Sequence, residues 1–112
     1  MSSVFKFNFA GGAAMAASMA VPAGSTYRLV SVSLNFSAAP TTAEAFTITL
    51  DTNAGPVYDV LLYSLDLSTG STTDIVWFPD EALLLEVGDA IDVAYANTDT
   101  GTYGVQITAL AV

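Results

Sequence analysis

The sequence predicts an all-β fold: an antiparallel β-sandwich, jelly-roll-like, of eight or nine short strands. Three observations lead there. Apolar and polar residues alternate at period two in segment after segment, turn signals recur every eight to twelve residues, and no segment carries a 3.6 period.

The elements follow in order. In "VFKFNF", residues 4–9, Phe5, Phe7 and Phe9 share one face and Val4, Lys6 and Asn8 the other, which reads as a strand. "AGGAAMAASMA", residues 10–20, is low in complexity. Its Ala-x-Ala spacings suggest a secretory leader, but the strand pattern before it, the single lysine and the lack of a Leu-rich core oppose that reading. Alternation resumes near Ala16 and ends at the "VPAGS" turn. "TYRLVSVSLNF" places Tyr27 and Leu29 in one phase and Val30, Val32, Leu34 and Phe36 in the other, so a bulge or twist is expected between Leu29 and Val30. "SAAPTTAEA" is a loop, and "FTITL" is a strand with Phe46, Ile48 and Leu50 inward. "DTNAGP" is turn chemistry, with Gly55 free to take positive φ and Pro56 unable to join a ladder. "VYDVLLYSLDL" reads as one long strand over 57–67. After the turn "LSTGST" come "DIVWF", closed by Pro79, then "ALLLEV", "AIDVAYA" and "YGVQITALAV", separated by "VGD" and "NTDTG".

This divides the chain into residues 1–20, an N-terminal strand or arm with an Ala-rich segment, and residues 21–112, the β-sandwich. The arm could add its strand to a neighbouring molecule. An immunoglobulin pattern would need Cys–Trp–Cys, and the chain has no Cys. The late Gly-Asp turn followed by a long strand favours the jelly roll.

Composition narrows function. Without Cys there are no disulfides, thiolate metal sites or cysteine nucleophile, and without His the commonest neutral-pH base is missing. Eleven acids against Lys6 and Arg28 give a net charge of −9, which argues against nucleic acid and anionic membranes as partners. Charged residues make up 12% against about 25% in ordinary domains. Either some of the surface faces protein rather than water, or the surface is rich in Ser and Thr, polar without being charged.

The run "FPDEALLLEVGDAIDVAY" gathers Asp80, Glu81, Glu86, Asp89 and Asp92. Period two puts Asp92 opposite Ile91, Val93 and Tyr95, on the wet side of a strand. Asp89 fits a hairpin apex, and Asp80 and Glu81 a loop. A carboxylate pair could serve a glycosidase, but a 112-residue chain with one Lys and one Arg has little with which to build the cleft. Calcium is the better alternative, from the loops "DTNAGPVYD" and "NTDTG". The first starts as Asp51-x-Asn53-x-Gly55, yet Gly55 stands where a ligand belongs and no Glu closes the loop. Tyr27, Tyr58, Tyr63, Trp77, Phe78, Tyr95 and Tyr103 are expected mostly in the core; any that face solvent would suit sugar stacking or an interface. No residue is assigned as catalytic, cofactor-binding or metal-ligating, and an enzyme is not expected.

Residues 21–112 resemble small proteins of tailed bacteriophages encoded among virion structural genes, through the "VPAG" turn, the "SAAPTT" loop, the "TLD…YD…LYS" strands and the closing "VGDAIDVAYANTDT". The resemblance implies a virion component on the capsid surface: a head decoration or cement protein, assembled as a homotrimer that clamps the major capsid protein. A tail or adsorption-apparatus protein is the nearest alternative. From the residues themselves, a carbohydrate-binding β-sandwich module using Trp77 and exposed tyrosines is another. The partner-facing surface is expected in the charge-poor strands of the first half, with the acidic run toward solvent.

Overall fold

The structure is a computed structural model that describes residues 4–112. Among the described residues nine strands form two antiparallel sheets: β1 (Val4–Gly11), β2 (Met15–Ala20), β3 (Tyr27–Phe36), β4 (Ala45–Asp51), β5 (Val60–Asp66), β6 (Asp74–Trp77), β7 (Leu83–Leu85), β8 (Ala90–Tyr95) and β9 (Tyr103–Ala111). One sheet runs β1-β9-β3-β6, with β7 also pairing β3; the other runs β2-β8-β4-β5. The pairs nest. β4 pairs β5, β3 pairs β6 and β7, β2 pairs β8, and β1 pairs β9. This is one long antiparallel hairpin, rolled until β9 meets β3 and β8 meets β4. A rolled hairpin in two four-position sheets is the jelly roll.

Alternation fills the space between the sheets. Phe46, Ile48, Ile91, Ile107, Leu85 and Val32 are among the most fully enclosed side chains, and Met15 and Met19 of β2 join them. Of residues 1–20, read from the sequence as an arm with an Ala-rich segment, residues 1–3 lie outside the described residues, and β1 and β2 give one strand to each sheet. Phe5 and Phe7 lie 5.4 and 6.3 Å from the ring of Tyr27, closing that edge of the core.

The phase slip in β3 is real. Its register against β9 shifts between Leu29 and Ser31, so that Leu29 and Val32 both point inward. One boundary differs from expectation: residues 57–67 are not a single strand. Pro56–Tyr58 form a 3-10 turn, and β5 starts at Val60. Pro56 brings no N–H to a ladder and suits the first position of a helical turn. The amides of Tyr58 and Asp59 bond locally to Gly55 and Pro56, so the chain has no need of a ladder there. A register shift between Ile48 and Thr49 then lets β5 join β4.

Candidate functional site

Several acidic side chains accept hydrogen bonds from loops, among them Glu44, Asp59, Asp66, Asp89 and Asp99. At one end of the sandwich Gly88, at φ +89°, turns the chain into Asp89. Asp89 Oδ1 accepts the amide of Asn53 at 2.9 Å and Oδ2 accepts that of Glu86 at 3.0 Å. The bond from Asn53, then that from Glu86, holds the Asp89 carboxyl below its ordinary pKa. Asp89 is a turn residue as expected, and it also ties the β7–β8 turn to the "DTNAGP" loop. Asp59 Oδ1 takes the amide of Thr52 at 2.9 Å, fixing the same loop.

Asp92 lies on the outer face of its sheet and accepts the Ser18 hydroxyl at 2.6 Å. Beside it is Asp51, whose pKa is raised chiefly by the charge of Asp59, then by burial and by Asp92. This crowding joins the end of β4 to β8 and was not legible in the sequence. Among the described residues no group of three or more acidic side chains is arranged to hold a metal ion. Asp80 and Glu81 sit exposed in the β6–β7 connection, and Glu86 is exposed too.

The opposite end is tied in the same way. Asp99 Oδ2 accepts the amides of Thr41 and Thr42 at 2.7 and 3.1 Å, and Oδ1 the Thr42 hydroxyl at 2.5 Å. Glu44 accepts the amide of Thr98 at 3.0 Å and the hydroxyl of the same residue. The "SAAPTTAEA" and "NTDTG" loops are therefore bound to each other through carboxylates. The Thr42 hydroxyl, followed by the two amides, lowers the Asp99 pKa to about 2.

A carboxyl depressed on folding stabilises the fold above its unfolded pKa of about 3.9. For Asp99 that contribution is lost as pH falls toward about 2. Asp66 and Asp89, also depressed, act with the same sign, and Asp51, raised, acts with the opposite sign. Asp99→Asn is expected to melt below the parent at neutral pH, with the gap closing over the acid range. Thermal melts of both proteins across that range check it; parallel curves would remove Asp99 from this role.

The aromatics divide as expected between core and margin. Tyr27 and Tyr95 are buried, and Trp77 is half-buried, 6.0 Å from Tyr63, where the two sheet edges meet. Phe78 is the exposed member of the Trp77–Phe78 pair, at 61%. Trp77 thus offers no free platform for a sugar ring. Exposed apolar side chains are instead concentrated in and around the edge strands β5, β6 and β7, on both sheets: Val57 (87%), Tyr58, Val60, Leu61, Val76, Phe78 and Leu84, with Val87 and Val112 beyond them. Apart from Val4 and Phe5 at the far edge, this lies in the second half of the chain rather than in the early strands.

The outer face of each sheet carries a hollow: one of about 480 Å³ beside Ser18, Asp51 and Asp92, and, on the β1-β9-β3-β6 sheet, a groove of about 470 Å³ with Asn8, Gln106, Asn35 and Asp74 in its walls and Ala10, Ser33, Val76 and Gly104 beside them. Gln106 Nε2 donates to Asn8 Oδ1 at 2.8 Å, and Asn35 Nδ2 donates to Asp74 Oδ1. Register explains the groove. Asn8 pairs with Gln106, Gln106 with Ser33 and Ser33 with Val76 in one row; Ala10 pairs with Gly104, Gly104 with Asn35 and Asn35 with Asp74 in the next. Small residues fall diagonally between the two bonded pairs, so the sheet is bare there.

Fold and surface together define a small jelly-roll domain with exposed apolar side chains at its edge strands and, on one sheet, a groove that mixes polar and apolar walls. The chain matches no protein-family model, and no curated protein is significantly similar to it.

Proposed function

We propose that this protein is a non-enzymatic structural component of a tailed-phage virion, a decoration or cement protein that assembles as a homotrimer on the capsid surface and clamps the major capsid protein. The observation that carries the reading is the run of exposed apolar side chains along β5, β6 and β7 in a chain with few charges. Exposed apolar side chains concentrated at neighbouring edge strands suit a protein partner. The carboxylates support it from the other side, since Asp89 and Asp99 already accept hydrogen bonds within the fold. The sequence resemblance supplies the virion context.

Antibody labelling of phage particles in the electron microscope is expected to decorate heads in a regular array. Label on the tail would transfer the protein to the adsorption apparatus, and unlabelled particles would overturn a virion role. Purified protein should rebind heads stripped of it. The triple variant Val57→Ser, Leu61→Ser, Phe78→Ser should bind at least about tenfold more weakly, as expected when apolar anchors at an interface centre are removed. Undiminished binding by that variant would place the contact elsewhere.

A further inference from the structure

We infer that the groove on the β1-β9-β3-β6 sheet is a binding site for a neutral saccharide. This goes beyond the decoration role and does not depend on it, although Val76 both lines the groove and belongs to the exposed apolar set assigned to the partner. It also differs from a site built on Trp77, whose ring is packed at the junction of the sheets.

The volume, about 470 Å³, lies within the range of small-ligand sites, about 300–1,000 Å³. The chemistry of the walls narrows the ligand. The Gln106–Asn8 and Asn35–Asp74 bonds each use one hydrogen of an amide that carries two, and one lone pair of an oxygen that carries more. Planar amides and a carboxylate therefore line both sides with further donors and acceptors, and Ser33 adds a hydroxyl between them. A wholly apolar ligand would strip water from these groups without replacing its hydrogen bonds, which is costly. An anionic ligand would meet Asp74 inside the groove, and the nearest cation, Lys6, lies one row beyond Asn8, outside the lining. A neutral sugar satisfies both constraints. Its hydroxyls donate and accept toward the two walls, and the C–H face of its ring can lie on the bare backbone at Gly104.

Gly104 is the informative position. A Cβ there would have nothing within 4 Å, and its backbone is not in the positive-φ region. The glycine is thus not required for the turn or the packing of β9; what it provides is the open floor. A larger residue would occupy the groove without straining the strand, and a β-former in place of glycine should favour the sheet.

The test is an NMR titration of the full chain with maltose, cellobiose, lactose and diacetylchitobiose, and with sialyllactose and inorganic phosphate as anionic probes. At least one neutral disaccharide is expected to shift the side-chain amides of Asn8, Asn35 and Gln106 and the Gly104 amide, with Kd on the order of 1 mM or tighter. Gly104→Leu should weaken that binding about tenfold or more while keeping the native spectrum, a loss of about 1.4 kcal/mol. Thr108→Leu, on the same strand face but outside the groove, should leave it unchanged. If Gly104→Leu disturbs the fold, Gln106→Ala must show the loss instead. The inference is overturned if no neutral sugar on the panel shifts the groove, if a folded Gly104→Leu binds as before, or if the anionic probes bind as well as the neutral ones. Labelling of the virion can fail with this result intact, and the reverse also holds.

Discussion

Phe46→Ala is expected to destabilise the protein by about 3–5 kcal/mol, the range for removing a fully buried aromatic ring. Phe46 has no solvent exposure, and its strand, β4, is held on both sides by β8 and β5. Two sheets fixed by their own ladders cannot collapse far into the space a ring leaves, so the cavity term is expected near its full size. For a domain with total stability of about 5–15 kcal/mol the loss is a large fraction. At about 4–8 °C per kcal/mol for a chain near this size, the melting temperature should fall by more than about 10 °C. Urea denaturation should show the midpoint falling with the slope unchanged, as expected for lost packing in an otherwise intact fold. Val57→Ala is the control. Val57 is comparably apolar in sequence but 87% exposed, and its truncation should stay within about 0.5 kcal/mol. If the two substitutions cost the same, the inward face assigned to β4 is wrong.

That contrast marks how far the sequence could be read. Period two alone separates Phe46 and Ile48 from Thr47 and Thr49, and the phase slip at Leu29–Val30 announces a register shift that the β3–β9 pairing contains. The turn at Gly88-Asp89 and the wet face of Asp92 were equally legible, because each follows from neighbours one or two residues away. What could not be read depends on which distant segments meet. The start of β5 hinges on local bonds at Gly55 and Pro56 that make a 3-10 turn where hydrophobic residues suggested a strand. Asp99 looks like any turn aspartate until the "SAAPTT" loop is brought within 2.7 Å of its carboxylate. The groove is the extreme case. Asn8, Ser33, Asn35, Asp74, Gly104 and Gln106 come from four strands spread over nearly the whole chain, and only the rolled order β1-β9-β3-β6 puts them side by side.

Asn97 shows the same dependence with the larger energetic consequence. In sequence it is the first residue of a turn; in the fold it is buried to 2% exposure and joins two loops. Its Nδ2 donates to the carbonyls of Ala13 and Gly101 at 2.9 and 3.0 Å, and its Oδ1 accepts the amide of Gly101 at 3.1 Å. Its backbone sits at φ +53°, a region asparagine tolerates better than most residues. Asn97→Gly keeps the backbone freedom and removes three hydrogen bonds, each with a net value of about 0.5–1.5 kcal/mol, so a loss of about 2–4 kcal/mol is expected. Asn97→Ala adds the left-handed penalty of about 1–2 kcal/mol on top. Asn97→Asp separates the electrostatic part. A carboxylate of nearly the same shape would face the Ala13 and Gly101 carbonyls with no hydrogen to offer, so it should be the worst of the three at neutral pH. Its deficit should shrink on acidification, because protonation restores one donor and removes the buried charge. Denaturant melts of the three variants at two pH values check the order. If Asn97→Asp matches the parent at neutral pH, the side-chain bridge from Asn97 to the β1–β2 loop does not hold the two loops together.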